Sequence, residues 1–230
     1  MIKRGLIAAV ACVMCLTSCG GGVEIKKEVK EYDTDFSSVR AETAVIEGLK
    51  DKEFEDGINS EIEKDIQGAV IAFDAAAAQS ADNVRMGNKC VFENTWEVKY
   101  NKNDFLSLIE ERYVYMGGAH GETAWIALNI DTALSKKVLL ADLFAEAGYE
   151  NTLNRMINEQ VEEHPDEYSE LWEKPVIKDT SQTDFYIDGD KLVLYYQPYD
   201  LSYYARGFVE FKLPLKELSG YLKEEYRRLI

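Results

Sequence analysis

Residues 183–199, TDFYIDGDKLVLYYQPY, decide the fold class of the chain. Apolar residues alternate with polar ones on both sides of Asp188-Gly189, which is the pattern of two half-buried strands. An Asp-Gly pair between two such runs favours a tight hairpin. We therefore predict an antiparallel hairpin here, followed by a further strand over 208–213.

Strand patterns also occur on the N-terminal side of this hairpin. The stretch VFENTWEVKY alternates cleanly, with Phe92 and Trp96 on the face that we expect to be buried. Gly48 ends an apolar run near the N-terminus, and a glycine-rich link, YMGGAHGE, separates two further strand-like segments. The predicted strands before the hairpin lie at 23–32, 43–49, 91–100, 104–116 and 123–130.

Three helices are predicted from apolar residues that recur every three or four positions. Their stripes are Ile58, Ile62, Ile66, Val70, Phe73 and Ala77, then Leu153, Met156, Ile157, Gln160 and Val161, then Leu215, Leu218, Leu222, Tyr226 and Leu229. Pro165 ends the second helix because proline lacks an amide proton, and Pro214 starts the last one. Strands in runs, interrupted by single helices, predict an α+β fold of two small subdomains, each an antiparallel sheet with packed helices.

The N-terminal residues have the features of a bacterial lipoprotein leader. Lys3 and Arg4 precede an apolar run over 6–16 that is too short to span a bilayer as a helix. Thr17-Ser18-Cys19 then resembles the end of a lipobox, in which the cysteine thiol is acylated and the chain is cleaved just before it. An ordinary secretory signal with a coincidental cysteine is the alternative. We predict a signal peptide over 1–18, a lipidated tether over 19–22, an N-terminal α+β subdomain over 23–89 and a C-terminal one over 90–230.

Acylation of Cys19 would hold the protein at a membrane surface, since each buried methylene contributes roughly 0.8 kcal/mol. The expected location is the bacterial cell envelope, outside the cytoplasm. If an outer membrane is present it is favoured, because Gly20 carries no retention charge. With the leader removed and Cys19 acylated, Cys90 is the one thiol left, so no disulfide can form within the chain.

The charge balance excludes one class of partner. The chain has 26 Lys and Arg against 42 Asp and Glu, a net charge of −16, and removal of Lys3 and Arg4 with the leader makes it 24 − 42 = −18. Binding to nucleic acid phosphates needs the opposite sign. Basic proteins, cationic peptides or metal ions would be attracted instead, although plain solubility also explains an acidic surface.

The motifs give little support for catalysis. No serine has the flanking glycines of a nucleophile elbow, no glycine-rich phosphate loop occurs, and His120, His164 and Cys90 lie on separate segments, so neither a cofactor nor a metal site is predicted. In the link YMGGAHGE, His120 could act as a base that Glu122 orients. The alternative is a histidine that fixes a turn through hydrogen bonds to nearby backbone.

Four stretches together resemble a known pair of domains. They are VIEGLKDKEFEDGINSEIEKDI, the Tyr115-x-Gly117-Gly118-Ala119-His120 motif, LNIDTALSKKVLLADLF and LVLYYQPYDLSYYARGFVEFKLPLKEL. In that order they resemble the two-part extracellular domain of RsiV-type anti-sigma factors, which are lysozyme receptors, and of PdaC-type peptidoglycan deacetylases. The likeness runs from about Ile25 to Leu218. The chain differs in having DTALSKK where many relatives have a glycine turn.

The resemblance implies a stand-alone lipoprotein with a non-catalytic binding role, which captures a basic protein such as lysozyme or a cell-wall glycan. It also implies that Gly117, Gly118 and Ala119 form a structural turn. The expected ligand-binding residues are Tyr115, His120, Tyr199, Tyr203 and Tyr204; for the tyrosines around 195–204, half-buried strand faces are the alternative. Two other functions stay open: an envelope polymer hydrolase that uses His120 and Glu122, and a structural lipoprotein of an envelope assembly.

Overall fold

The computed structural model describes residues 14–16, 22–80, 89–145, 148–177 and 179–230. For 14–16 only the backbone is described, and the predicted lipid site, Cys19, lies outside the described residues. Within the described ranges the chain forms two sheets rich in antiparallel pairs, together with a few helices. The predicted α+β class is therefore confirmed.

The first sheet contains seven strands that neighbour one another in chain order. These are β1 Met14–Leu16, β2 Glu24–Asp33, β3 Ser37–Glu47, β4 Cys90–Lys102, β5 Phe105–Tyr115, β6 Glu122–Asp131 and β7 Lys136–Lys137. The second sheet has the order β10-β9-β8 and is antiparallel throughout. Its strands are β8 Phe185–Asp188, β9 Lys191–Tyr196 and β10 Val209–Pro214, and the α-helices are α1 Lys52–Gln79 and α2 Tyr149–Glu163.

Helix α1 follows the predicted stripe along its length. The carboxylate of Asp51 caps the helix by accepting from the amide of Phe54 at 3.0 Å, and all six stripe residues are buried. The helix connects β3 to β4, which pair in parallel from Ser37–Cys90 to Ala41–Asn94. The sequence prediction contained antiparallel pairs alone, but a helix of this length is the crossover that a parallel pair needs.

Beyond Ala41 the backbone of β3 is satisfied by side-chain amides. Asn94 both donates to the carbonyl oxygen of Glu42, at 2.8 Å, and accepts from its amide, at 3.0 Å. Asn59 of α1 makes the same two bonds to Ile46, each 2.8 Å long. These amides take the place of a neighbouring strand at Glu42 and Ile46.

The chain forms two compact units. Unit 1 consists of 1–97 and 110–125, and unit 2 consists of 98–109 and 126–230. Strands β4, β5 and β6 therefore contribute residues to both, and the units divide the chain differently from the predicted boundary between 89 and 90. In unit 1, α1 packs through Ile66, Val70 and Phe73 on β3 and β4.

Unit 2 contains the second sheet and α2. The predicted hairpin closes at Gly189, whose φ of +59° lies in the left-handed region that favours glycine. The hairpin between β6 and β7 closes without glycine, because the carboxylate of Asp131 accepts from the amides of Ala133 and Leu134 at 3.0 and 2.9 Å. Ser135 takes the left-handed position there, with a φ of +51°.

The prediction of one C-terminal helix starting at Pro214 was wrong. The segment forms two short 3-10 helices, Leu215–Leu218 and Glu224–Leu229. Between them Leu222 pairs with Phe144 as an isolated β-bridge, and the amide of Lys223 donates to the carbonyl oxygen of Leu143 at 2.9 Å. These pairings hold the backbone extended and interrupt the helix, although all five predicted apolar residues are buried.

Candidate binding surface

The glycine-rich loop between β5 and β6, which contains His120, uses its polar groups to hold its own shape. The hydroxyl of Tyr115 donates to the carbonyl oxygen of Gly118 at 3.1 Å. Nδ1 of His120 lies 2.8 Å from the carbonyl oxygen of Gly121, and because a carbonyl oxygen only accepts, Nδ1 carries the proton in this contact. Gly117 has a φ of +87°, which favours glycine.

Close packing accounts for a further glycine of this loop. A Cβ on Gly121 would lie 2.3 Å from the ring of Tyr113, so a side chain there has no room unless the ring moves. A Cβ on Gly118 would meet only the carbonyl oxygen of His120, at the ordinary distance of 3.8 Å. Ala119, which the sequence assigned to the same turn, is exposed. Of these two glycines, Gly121 therefore has the stronger steric demand.

The alternative catalytic pair, His120 and Glu122, is exposed on this loop and at the start of β6. One ring nitrogen of His120 faces backbone. In the part of the chain that the structure describes, no group of three or more His, Cys, Asp or Glu is placed to hold a metal ion. Cys90 is fully buried, and burial raises the pKa of its thiol, so it fits the predicted packing role.

The tyrosines of 195–204, all in unit 2, divide into two groups. Tyr195 is 2% exposed, and Tyr196 packs in part against the hydrophobic core, so both belong to the half-buried strand face that the sequence offered as the alternative. Tyr199 and Tyr203 are 53% and 43% exposed. The ring of Tyr204 lies 5.6 Å from that of Tyr199, centroid to centroid. The three tyrosines predicted as ligand-binding residues thus lie at or near the surface of unit 2.

Tyr199 is displayed by a strained turn. Its φ is +76°, in the left-handed region that side chains other than glycine rarely adopt. The turn is closed by a bond of 3.0 Å from the amide of Asp200 to the carbonyl oxygen of Gln197, while the Asp200 carboxylate accepts from the Gln197 amide at 2.8 Å. Strain of this kind costs about 1–3 kcal/mol and clusters at functional sites; Ser135 shows that it also occurs in a plain hairpin turn.

A tryptophan that the sequence analysis missed lies beside these tyrosines. Trp172 is 61% exposed, and its amide donates to the carbonyl oxygen of Leu201 at 3.0 Å. The hydroxyl of Ser202 donates to the carbonyl oxygen of Glu170 at 2.8 Å. These bonds fasten the segment around 170–172 to the one around 199–204. We call this group the aromatic ridge: the exposed Trp172, Tyr199 and Tyr203 and the half-buried Tyr204.

Carboxylates dominate two cavities of unit 2 whose linings include residues close in the chain to the ridge, such as Glu173, Asp200 and Arg206. One cavity has a volume of about 760 Å³. The Lys and Arg side chains that line it are Lys212 and Arg206. Its carboxylates are Glu159, Glu163, Glu167, Glu210 and Glu217. The other cavity has a volume of about 410 Å³, and its lining includes Asp200 and Leu201. Its charged residues are Glu173, Asp184, Asp200 and Lys174. Counted together, eight carboxylates face three cations.

The ridge itself is joined to this acidic surface by hydrogen bonds. A bond to the Glu170 carboxylate raises the pKa of the Tyr203 hydroxyl. The guanidinium of Arg206 donates to the carbonyl oxygen of Glu167 at 3.1 Å, and the Arg206 amide donates to the carbonyl oxygen of Tyr203 at 3.0 Å. Exposed aromatic rings and acidic cavities lined by neighbouring residues suit non-covalent contact with a cationic surface.

Comparison with known proteins gives matches along most of the chain. A family model described as Deacetylase PdaC matches residues 30–123, and one described as Protein of unknown function (DUF3298) matches residues 141–216. The Anti-sigma-V factor RsiV of Bacillus subtilis (strain 168) is 26% identical over 210 residues, which cover 86% of this chain and 70% of RsiV.

Two crystal structures have the same fold. A member of the DUF3298 family from Bacteroides fragilis NCTC 9343 aligns with a TM-score of 0.67 at 20% identity, covering 89% of this chain and 95% of that one. A DUF3298 family protein from Pseudomonas aeruginosa PAO1 aligns with a TM-score of 0.60 at 15% identity, covering 90% and 97%. In the described ranges of this chain, no helix is long and apolar enough to cross a membrane.

Proposed function

Because the chain carries the two-part domain that RsiV-type and PdaC-type proteins share, we propose that it captures a basic protein, such as a lysozyme, without catalysing a reaction. The relationship to RsiV and to these domains supports an envelope protein family. We further propose that acylation of Cys19 anchors the protein outside the cytoplasm, in the outer membrane if one is present.

The observation that carries the proposal is the aromatic ridge, whose chain neighbours Glu173, Asp200 and Arg206 line two carboxylate-rich cavities. Tyrosine and tryptophan are enriched among the residues that dominate binding energy at protein interfaces, because they supply large contact area at a low cost in side-chain entropy. The strained backbone of Tyr199 supports a contact role, since the turn holds an aromatic side chain outward where glycine or asparagine would fit more easily.

Charge favours a basic partner. The cavity carboxylates outnumber the cations by eight to three, and the chain as a whole carries a net charge of −16. Such a surface accelerates the association of a cationic protein, and the acceleration weakens as salt screens it.

A cell-wall glycan is the second candidate, and one observation favours it. The smaller cavity also contains Gln182 and Thr183, whose side chains donate to Asp179 and whose side-chain oxygens can still accept from sugar hydroxyls. Binding to a neutral glycan would depend little on salt, so salt dependence separates the two candidates.

The capture proposal is tested by retention of the full chain on an immobilised cationic lysozyme at low and high salt. We expect retention at low salt and loss at high salt. Replacing Trp172 and Tyr199 together by alanine should weaken binding by roughly a hundredfold, the effect of losing two central aromatic contacts. The control is Phe36→Ala, which removes an aromatic ring 37% exposed on unit 1. Equal binding by the ridge variant and this control would reject the ridge as the contact surface.

The anchoring proposal is tested separately. Cys19→Ala should move the protein from the membrane fraction to the soluble fraction, because the acyl chains that hold it are lost. The intact mass of the unaltered mature protein should show acylation and the loss of residues 1–18. An unacylated protein in the membrane fraction would contradict the proposal.

A further inference from the structure

The outer edge of β2 accepts a strand. In the structure β1 pairs with it antiparallel, with Met14 opposite Lys27, Cys15 opposite Lys26 and Leu16 opposite Ile25. Yet β1 lies within the predicted leader. Cleavage before Cys19, on which this inference rests as part of the proposed function, would remove β1. The edge of β2 from Glu24 to Asp33, ten residues long, would then have no strand on its outer side.

The side chains along this edge alternate in sign. On the face shared with Ala41, Thr43 and Val45 of β3, the order is Lys26, Glu28, Lys30. On the other face it is Lys27, Val29, Glu31. A long open edge is a hazard, and charged residues along it discourage pairing with an unselected strand. They admit a strand whose charges are complementary.

We propose that β2 pairs with β2 of a second copy of this chain, antiparallel about a two-fold axis at Val29. In this register Glu28 faces Lys30 of the second copy, and Lys27 faces the second copy's Glu31. Lys27 and Glu31 already form ion pairs with Glu42 and Arg40 of β3, at 3.2 and 2.9 Å, so the Glu28–Lys30 pairs provide most of the selectivity. The symmetry repeats both pairs, so four pairs of opposite charge surround the Val29–Val29 contact. Directly opposed pairs of unlike charge stabilise an antiparallel ladder, and like pairs destabilise it.

In the neighbouring registers on either side, residues of like charge oppose each other. With the axis one residue earlier, at Glu28, two Glu28 carboxylates oppose each other, and Lys26 opposes Lys30. With the axis at Lys30, two lysines oppose each other. The sequence of β2 is therefore self-complementary at Val29, which is the condition for an isologous dimer, in which both copies use the same surface.

The register is tested by disulfide crosslinking of the full chain. A specific protease site replaces Gly20 to Gly22, so that the leader can be removed from the purified protein whether or not cells process it. Val29→Cys should then form a disulfide-linked dimer on mild oxidation, because directly opposed Cβ atoms lie about 4.5–5.5 Å apart. Cys90 is fully buried and does not compete, and the other cysteines leave with the leader.

The matched control is Glu31→Cys, on the same face of β2. In the proposed dimer the two copies of residue 31 are four positions apart along the strands, or about 14 Å, too far for a disulfide. Crosslinking of Val29→Cys without crosslinking of Glu31→Cys supports the proposal. No crosslinking, or equal crosslinking of both, overturns it.

Charge reversal gives a second measurement that a folding defect cannot imitate. Glu28→Lys places like charges opposite each other twice in the dimer, and it should raise the dissociation constant measured by sedimentation at least about tenfold. Adding Lys30→Glu restores both opposite pairs and should restore the dimer. A double variant that stays monomeric would reject this pairing.

Failure of this inference can be told apart from failure of the proposed function. Retention on lysozyme is measured on the cleaved protein before and after crosslinking, and it depends on the ridge in unit 2. Acylation is read from the unaltered chain. If Val29→Cys crosslinks but lysozyme is not retained, the dimer is supported and the capture proposal is rejected. If lysozyme is retained but Val29→Cys does not crosslink, the capture proposal is supported and the dimer is rejected.

Discussion

The loop around His120 and the ridge around Tyr199 both break the regular structure, but they use their side chains in opposite ways. In the loop, Tyr115 and His120 bond to backbone of the loop itself, and the left-handed position is given to a glycine, Gly117. In the ridge, the left-handed position is given to a tyrosine whose ring is 53% exposed.

The difference indicates that the loop around His120 stabilises the fold, whereas the turn at Tyr199 presents a side chain to a binding partner. A loop whose backbone conformation suits its residues carries little strain, and its shape needs no functional explanation. Its motif can therefore recur in proteins with different activities. A loop that holds an aromatic residue in a costly conformation needs another explanation, and display of the ring to a partner is one. Three substitutions test whether this comparison holds.

The largest expected effect on stability is in the loop. Gly121→Ala forces the ring of Tyr113 away from its position, since the new Cβ would lie 2.3 Å from it. We expect the free energy of unfolding to fall by about 1 kcal/mol, at the low end for overpacking, because the atoms in the way are the far end of the half-buried Tyr113 side chain. Gly118→Ala is the control, because its Cβ meets nothing closer than 3.8 Å, and it should have little effect in chemical denaturation. Equal losses in both variants would show that packing against Tyr113 does not explain the glycine.

In the ridge we expect an effect of intermediate size, in which stability rises and binding weakens. Tyr199→Gly removes the strain of the left-handed conformation, but glycine loses more backbone entropy on folding. When the second effect is subtracted from the first, we expect the free energy of unfolding to rise by about 0.5 kcal/mol. Retention on lysozyme should weaken about tenfold because the ring is lost. Thermal unfolding and retention are measured on the same preparation. A marked loss of stability would mean that the ring packs in unit 2 instead of serving contact.

The smallest effect is expected at the histidine. His120→Ala removes the bond from Nδ1 to the Gly121 carbonyl oxygen, and on an exposed loop we expect a loss of about 0.5 kcal/mol, at the low end for a hydrogen bond. Capture of lysozyme should not change. If capture weakens while unfolding does not, the loop belongs to the contact surface after all, and the contrast with the ridge disappears.

Sequence periodicity predicted the elements that local spacing determines. The stripe from Ile58 to Ala77 became the buried face of α1, and the alternation around Trp96 became β4. The Asp188-Gly189 pair became the hairpin of the second sheet. In each case the pattern of neighbouring residues contains the whole signal, because a helix or a strand has a fixed period.

The features that sequence missed depend on partners distant in the chain. Trp172 joins the ridge through a bond to Leu201, and nothing near residue 172 indicates that contact, although a lone tryptophan among acidic residues was a usable signal. The apolar spacing at the C-terminus gave the correct buried residues but the wrong backbone, because Leu222 pairs with Phe144. Periodicity identifies which side chains are buried more reliably than it identifies the helix type.

The burial of Cys90 makes it a reporter of motion in unit 1. If the leader cysteines are removed and Cys19 is acylated, this thiol is the one reactive sulfur of the chain, and it is fully buried at the start of β4. A thiol reagent can modify it only when the strand separates from β3 and α1. The modification rate under native conditions would therefore measure how often unit 1 opens, without an introduced probe.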